Sequence, residues 1–176
     1  MDPHIPQALP DILAKNLSVV FCGINPGNTS ATVGHHFVSG RNRFWRTLHL
    51  AGFTPHRILA ENDREILDYG CGLTTVVDRP TSSASELAAH EFRDASAALE
   101  RKIRRYAPRC IAFLGKMAYS TLSGSRTIPW GPQHTTYAGA QAWVLPNPSG
   151  LNRAFTLDQL VLAYRQLRLA VGPASE

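Results

Sequence analysis

The segment VVFCGINPG, residues 19–27, begins as an uninterrupted apolar run and ends in a polar turn. Its β-branched and aromatic residues predict a buried strand over 18–22, with a loop at the carboxyl end of that strand. The segment WVLPNPSGLNR, residues 143–153, repeats this plan, because an apolar run again leads into Asn-Pro. Ligands of open parallel sheets bind beyond the carboxyl ends of the strands, so the two loops can meet in one cleft.

Apolar runs and helix signals alternate along the rest of the chain. The further predicted strands lie at 74–77, 110–114 and 142–145. The predicted helices begin after Asn42 and Asn62, cover 91–106 and 116–122, and run last from a capping box at Thr156 and Gln159 to Gly172. This alternation predicts an α/β fold, a three-layer α/β/α domain around a mainly parallel central sheet. Three prolines in the first ten residues predict a loose arm at 1–10, which leaves 11–173 as a single domain.

Composition limits the kind of protein. The chain has 176 residues, of which 44% are hydrophobic, enough for one compact core. Its net charge of +5 suits a nucleic-acid partner without requiring one. Cys22, Cys71 and Cys110 are scattered, which predicts three buried thiols rather than disulfides or a four-cysteine cluster. No signal peptide or membrane-length run is present, so we expect a soluble, cytoplasmic protein without a membrane partner.

The first loop predicts a water-holding asparagine. Pro26 restricts Asn25 to an extended conformation, and Gly27 allows a ligand to approach the backbone. The carboxamide oxygen of Asn25 can accept a hydrogen bond from water, but it cannot take up a proton. Such a group orients water and activates it weakly, which suits N-glycosidic cleavage, where the leaving group departs before water attacks. The alternative is that Asn-Pro-Gly forms only a tight turn.

A polar loop further along carries Phe37 behind two adjacent histidines. The ring and backbone amide of Phe37 could stack on a flipped base and bind its edge, although the ring could instead pack on the core. His35 and His36 resemble a metal pair, but adjacent histidines point apart and no third ligand stands at useful spacing. We therefore predict no metal and no cofactor, and we interpret both histidines as DNA-facing or solvated.

The second loop predicts a wedge. Leu151 is an apolar residue in a polar loop, with Arg153 two positions later. Proteins that distort DNA insert apolar side chains between base steps and hold phosphates with arginine. Backbone groups of Gly150 and Asn152 could then contact the orphaned partner base. The alternative is a leucine that folds inward. The predicted contacts to the DNA backbone are Arg41, Arg43 and Arg153.

With these motifs the chain resembles the bacterial mismatch-specific uracil-DNA glycosylases, relatives of eukaryotic thymine-DNA glycosylase. The resemblance covers nearly the whole chain in order, and the two Asn-Pro motifs together are highly specific. The matching segments are GINPG at 23–27, NRFW at 42–45, AGFT at 51–54, LDY at 67–69, VDRPT at 77–81, LGK at 114–116 and VLPNPSGL at 144–151.

The resemblance implies a uracil-DNA glycosylase-like fold and removal of uracil, thymine or ethenocytosine opposite guanine. The implied partner is double-stranded DNA with a mismatched or damaged base, bound by a monomer in the bacterial nucleoid. It also implies that Asn25 positions the water, that Phe37 stacks on the base, and that backbone groups of Ile24 and Phe37 contact the base edge. The implied base-binding pocket comprises Gly23, Ile24, Pro26, Gly27, Phe37, Asn147 and Ser149. The implied wedge comprises Gly150, Leu151, Asn152 and Arg153, with Leu151 entering the stack.

The chain departs from related glycosylases at informative positions. Stronger uracil glycosylases have an aspartate in the first motif and a histidine in the second, where this chain has Asn25 and Asn147, which predicts a slow enzyme. Arg41 replaces a small residue, Thr75 a common lysine and Asn152 a usual serine. One alternative function is a non-catalytic mismatch-binding protein. Another is a nucleotide-binding α/β enzyme, but the chain lacks GxGxxG, and its only Gly-Lys pair is followed by methionine instead of Ser or Thr.

Overall fold

The computed structural model describes residues 8–172, which form an α/β fold with a five-stranded, mostly parallel sheet. The strand order is β2-β1-β3-β5-β4, and only β4 runs antiparallel to its neighbour. The strands are β1 (Val19–Gly23), β2 (Cys71–Thr75), β3 (Cys110–Leu114), β4 (Gly131–Tyr137) and β5 (Ala140–Leu145). The helices are α1 (Asn28–Val33), α2 (Phe44–Leu50), α3 (Ala89–Tyr106), α4 (Lys116–Ser123) and α5 (Leu157–Val171). Two 3₁₀ segments span Ala60–Tyr69 and Ala84–Glu86.

Helices cover both faces of the sheet, because the central strands are apolar on both sides. In β1, Val19 and Phe21 pack toward α2 and α5, whereas Val20 and Cys22 pack toward α3 and α4. Each face therefore has its own buried cluster. This arrangement confirms the predicted three layers and leaves the carboxyl ends of β1, β3 and β5 side by side.

The predicted elements agree with the structure at three of the four buried strands. The predictions for β1, β3 and β5 are confirmed within two residues, as are the helices after Asn42, over 91–106 and over 116–122. The helix predicted from Asn62 is a 3₁₀ segment that is kinked at that residue. At the last helix, Thr156 Oγ1 accepts from the Gln159 N–H and Gln159 Oε1 accepts from the Thr156 N–H, which confirms the capping box.

Three elements were placed wrongly or missed. The strand predicted at 74–77 lies at Cys71–Thr75, and the two valines that misled the prediction are buried in the loop that follows. Gly72 concealed the start of this strand. A Cβ at residue 72 would lie 2.6 Å from the carbonyl oxygen of Ile12, so only glycine fits at this position of the strand. The edge strand β4 is polar and half-exposed, so it lacks an apolar run, and α1 is only six residues long.

The three cysteines are free and buried, as predicted. Burial raises the pKa of Cys71 to about 12 and raises that of Cys22 as well, which keeps both thiols protonated. No helix within residues 8–172 combines the length and the apolar character needed to cross a membrane. Most of the predicted arm at 1–10 lies outside the described residues, and its division from a single domain at 11–173 stays a prediction.

Candidate active site

The two Asn-Pro loops meet at one edge of the sheet, on either side of β3. Gly115 follows β3 with a φ of +103°, a conformation that favours glycine. A Cβ on Gly115 would lie 3.7 Å from Asn147 Cβ and 3.9 Å from Ile24 Cδ1. The first loop, residues 23–27, and the second loop, residues 146–153, therefore lie next to each other, as the parallel arrangement predicts, and we call the space between them the cleft.

Asn25 is held so that its oxygen is left for a ligand. Its Nδ2 donates to the Arg79 carbonyl oxygen and to Thr81 Oγ1, both at 2.8 Å. The carbonyl can only accept, so the amide nitrogen must face it. The Thr81 hydroxyl donates onward to the Ser83 carbonyl oxygen at 2.8 Å. Within residues 8–172 no group donates to Asn25 Oδ1, which leaves an oriented acceptor on a half-buried side chain.

Residues 76–81, the support segment, carry the partners of Asn25 and run beside the first loop. Three backbone hydrogen bonds join the two, namely Val76 to Gly23, Val77 to Ile24 and Thr81 to Pro26, and a fourth joins Asn28, the first residue of α1, to Thr81, all at 3.0–3.1 Å. Arg79 is itself fixed by Glu91, with Nε–Oε1 and Nη2–Oε2 distances of 2.7 and 3.1 Å. The hydrogen bonds from Arg79 lower the pKa of Glu91 to about 2, so the pair stays charged.

Sequence reasoning missed this positioning role of Arg79 and Thr81. The signal was present, because the support segment follows β2, and β2 is the parallel neighbour of β1. The carboxyl ends of adjacent parallel strands share one edge. The residues that follow β2 therefore had to lie beside Asn25.

Phe37 presents a half-buried ring in the loop between α1 and α2. Its φ is +54°, and its ring stacks on Phe44 with centroids 4.2 Å apart and an interplanar angle of 25°. One face of the ring thus packs on the core, and the side chain remains partly accessible. Within the described chain, no acceptor binds the Phe37 backbone N–H. Both groups that could contact a base are therefore available.

The histidines before Phe37 hold its loop in place. Buried Asp63 accepts the His36 backbone N–H at 2.9 Å, and its other oxygen lies 3.2 Å from His35 Nδ1. His36 Nε2 donates to the Pro10 carbonyl oxygen at 2.7 Å, and Trp45 Nε1 donates to the His36 carbonyl oxygen at 3.1 Å. The two rings bind different partners, as predicted.

The predicted solvated or DNA-facing position is wrong for His36, which is 4% exposed. Burial lowers the pKa of this imidazole, which keeps it neutral inside the protein. The sequence could not reveal this position, because the carboxylate of Asp63, which accepts the His36 backbone N–H, lies 27 residues away along the chain.

Asn147 has the opposite orientation to Asn25. Its Oδ1 accepts the Ser149 backbone N–H at 2.9 Å, so the amide oxygen is the bound end. Among residues 8–172 no acceptor binds Asn147 Nδ2. Tyr164 on α5 donates its buried hydroxyl to the Pro146 carbonyl oxygen at 3.0 Å, which fixes the start of the second loop. The cleft therefore carries one oriented acceptor and one oriented donor.

Arg43 is a clamp on the second loop. Its guanidinium donates to four backbone carbonyl oxygens, those of Pro148 at 3.4 Å, Ser149 at 3.0 Å, Asn152 at 2.9 Å and Phe155 at 2.7 Å. These bonds occupy most of its five N–H donors. The structure thus gives Arg43 a positioning role, and the phosphate contact expected from the sequence stays a prediction.

The tip of the second loop projects into solvent. Leu151 is 69% exposed, so the alternative of an inward-folding leucine is wrong. A Cβ on Gly150 would lie 2.7 Å from both the Cβ and the carbonyl oxygen of Arg41, so only glycine fits there. Asn152 Nδ2 donates to the Asn147 carbonyl oxygen at 2.9 Å. Arg41 and Arg153 are exposed and form no ion pair within the described residues.

The fold is that of an α/β protein with its candidate site at the carboxyl edge of a mostly parallel sheet. Residues 10–168 match the uracil DNA glycosylase superfamily. The chain therefore belongs to that superfamily, whose members act on DNA and hydrolyse N-glycosyl bonds. The match is to the superfamily as a whole and does not resolve its mismatch-specific branch.

A solved structure supports the fold. It is a solution NMR structure of a Methanosarcina acetivorans protein described as a candidate uracil DNA glycosylase. The two chains share 23% sequence identity with a TM-score of 0.60, over 92% of this chain and 98% of the other. The predicted uracil-DNA glycosylase-like fold is confirmed.

Proposed function

We propose that this protein is a monofunctional, mismatch-specific DNA glycosylase that acts as a monomer. It flips uracil, and also thymine or ethenocytosine, out of double-stranded DNA opposite guanine. It then hydrolyses the N-glycosidic bond and leaves an abasic site. The observation that carries the proposal is the opposed pair of amides, with Asn25 Oδ1 open as an acceptor and Asn147 Nδ2 open as a donor.

The two amides suit the two halves of this reaction. As the bond between the base nitrogen and C1′ breaks, its electron pair leaves with the base and the sugar becomes cationic. Asn147 Nδ2 can donate to a base carbonyl oxygen, where negative charge develops. Asn25 Oδ1 orients a water toward C1′, and the proton that this water loses passes to solvent. One well-placed donor of this kind is worth about 10²–10³ in rate.

The remaining loop residues suit recognition of the flipped base. Phe37 offers a ring face for stacking and a backbone N–H for a base carbonyl, and Gly23, Ile24, Pro26, Gly27 and Ser149 complete the pocket. Leu151 fills the space vacated in the stack, and Arg41 and Arg153 contact phosphates. Neither asparagine can act as a base, so the enzyme is slow and depends on pairs that flip easily. Flipping costs a few kcal/mol, and least for a mismatched base.

A cleavage assay tests the proposal. Labelled duplexes containing G·U, G·T, A·U or ethenocytosine·G are incubated with the protein in EDTA and then treated with alkali. We expect strand breaks at G·U that exceed those at A·U. A gel shift with G·U DNA but no alkali-labile site would replace the proposal with a non-catalytic mismatch binder. Activity that EDTA abolishes and a divalent ion restores would contradict the metal-independent chemistry.

A further inference from the structure

A second hollow, which the proposed chemistry does not use, lies between α4 and the segment that leads into edge strand β4. It has a volume of about 420 Å³. Its lining residues are Lys116, Met117, Ser120, Arg126, Thr127 and Ile128. Two of these six are cationic and none is acidic. We call Lys116, Arg126 and the neighbouring Trp130 the flank patch.

The flank patch lies at the same edge of the sheet as the cleft. Lys116 begins α4 directly after Gly115, which packs near Asn147. Trp130 directly precedes β4, whose first residue pairs with Val144 of β5. The Trp130 ring also meets the ring of Phe155 edge-on, with centroids 5.2 Å apart. The patch is therefore continuous with the segment that Arg43 clamps.

The positive charge and the aromatic ring of the flank patch are complementary to a polyanion that also carries planar bases. Lys116 Nζ lies 4.4 Å from the centre of the Trp130 ring, and the Trp130 side chain is 42% exposed. Within residues 8–172, neither Lys116 nor Arg126 forms an ion pair with an acidic side chain. A cation on an aromatic face beside a second unneutralised cation is a typical surface for nucleic-acid backbone and exposed bases.

We propose that the flank patch binds the DNA strand on one side of the flipped nucleotide. Arg126 and Lys116 contact backbone phosphates, and Trp130 packs against the flanking nucleotide. This inference rests on the proposed function, because it takes the DNA held in the cleft as its ligand. It assigns a DNA contact to residues outside both Asn-Pro loops.

Tryptophan fluorescence tests the contact in the unaltered protein. Trp45 and Trp143 are buried, so collisional quenching by acrylamide reports mainly on Trp130. The duplex carries 2′-fluoro-deoxyuridine opposite guanine, whose glycosidic bond resists cleavage, and anisotropy establishes saturation. We expect bound DNA to protect Trp130 and most of the acrylamide quenching to be lost. Unchanged quenching at saturation would overturn the proposal. Trp130→Phe identifies the signal, because it removes the quenchable component.

A charge variant gives a second, independent readout. Arg126→Ala should weaken binding of the same duplex about 3–10-fold and lower the slope of log affinity against log salt by about one contact. Shortening the duplex on one side only should remove this difference. The matched control is Arg101→Ala, an exposed arginine on α3, which should bind like wild type. If Arg126→Ala and Arg101→Ala bind with the same affinity and slope, the proposal is wrong.

These measurements separate the flank patch from the proposed function. Both use a duplex that is not cleaved, so they report on contact and not on chemistry. Protection of Trp130 without any abasic product on G·U DNA would keep the patch and refute the glycosylase. Cleavage of G·U DNA without protection of Trp130 would support the glycosylase and refute the DNA contact of the flank patch.

Discussion

Replacing Leu151 with alanine tests whether the second loop acts as a wedge. Leu151 is 69% exposed in the free protein, so insertion into the stack would remove most of its side chain from water. Full burial of a leucine is worth about 1.5–3 kcal/mol, so the exposed share contributes roughly 1–2 kcal/mol. That free energy corresponds to a loss of about 5–30-fold in cleavage of a paired substrate.

The assay compares single-turnover cleavage of uracil in a G·U duplex with cleavage of uracil in a bulge. The stacking loss that the wedge offsets is smaller in the bulge, so the defect of Leu151→Ala should shrink there. Leu169→Ala is the matched control, since this leucine is 74% exposed on α5, outside both loops. Equal losses on both substrates, together with a lower melting temperature, would show that Leu151 has a structural role instead.

Three further substitutions test how the site is held. Thr81→Val removes one hydrogen-bond partner of Asn25 Nδ2. The rate of single-turnover cleavage should therefore fall by roughly tenfold while DNA affinity is kept. An unchanged rate would show that this bond does not position Asn25 for cleavage. Because burial lowers the pKa of His36, the imidazole takes up a proton in the unfolded chain at pH about 6.5, whereas the folded protein requires a lower pH. Stability should therefore be full above that pH and fall on acidification below it, and urea titrations of His36→Gln should show a smaller fall. Gly150→Ala places a Cβ against the Arg41 backbone, so duplex cleavage should drop about tenfold or more, and wild-type activity would refute the close approach.

The framework of the site could be predicted from local sequence. The strands that end at Gly23 and Leu145 are buried on both faces, so they appear as plain apolar runs. Because parallel strands place their carboxyl ends at one edge, the loops carrying Asn25 and Asn147 had to converge. The edge strand β4 escaped this reasoning because one of its faces is exposed and polar.

The orientation of the site depends on contacts that span long stretches of chain. Thr81 binds Asn25 across 56 residues, and Arg43 reaches the second loop across 105–112. The sequence predicted a DNA contact for Arg43, because guanidinium N–H groups can donate to phosphates as well as to backbone carbonyls. Only the folded chain distinguishes the two uses, since most of the donors of Arg43 bind backbone carbonyls, whereas Arg153 is exposed to solvent.

The proposed role of Asn25 is the central claim, and single-turnover cleavage by Asn25→Ala tests it most directly. The measurement uses a G·U duplex at saturating protein, with affinity determined separately by anisotropy. Losing the oriented acceptor should lower the cleavage rate by on the order of 10²-fold or more, while binding changes little because the wedge and clamp remain. Cleavage by Asn25→Ala at a near wild-type rate would contradict the account, because the attacking water would then be held elsewhere.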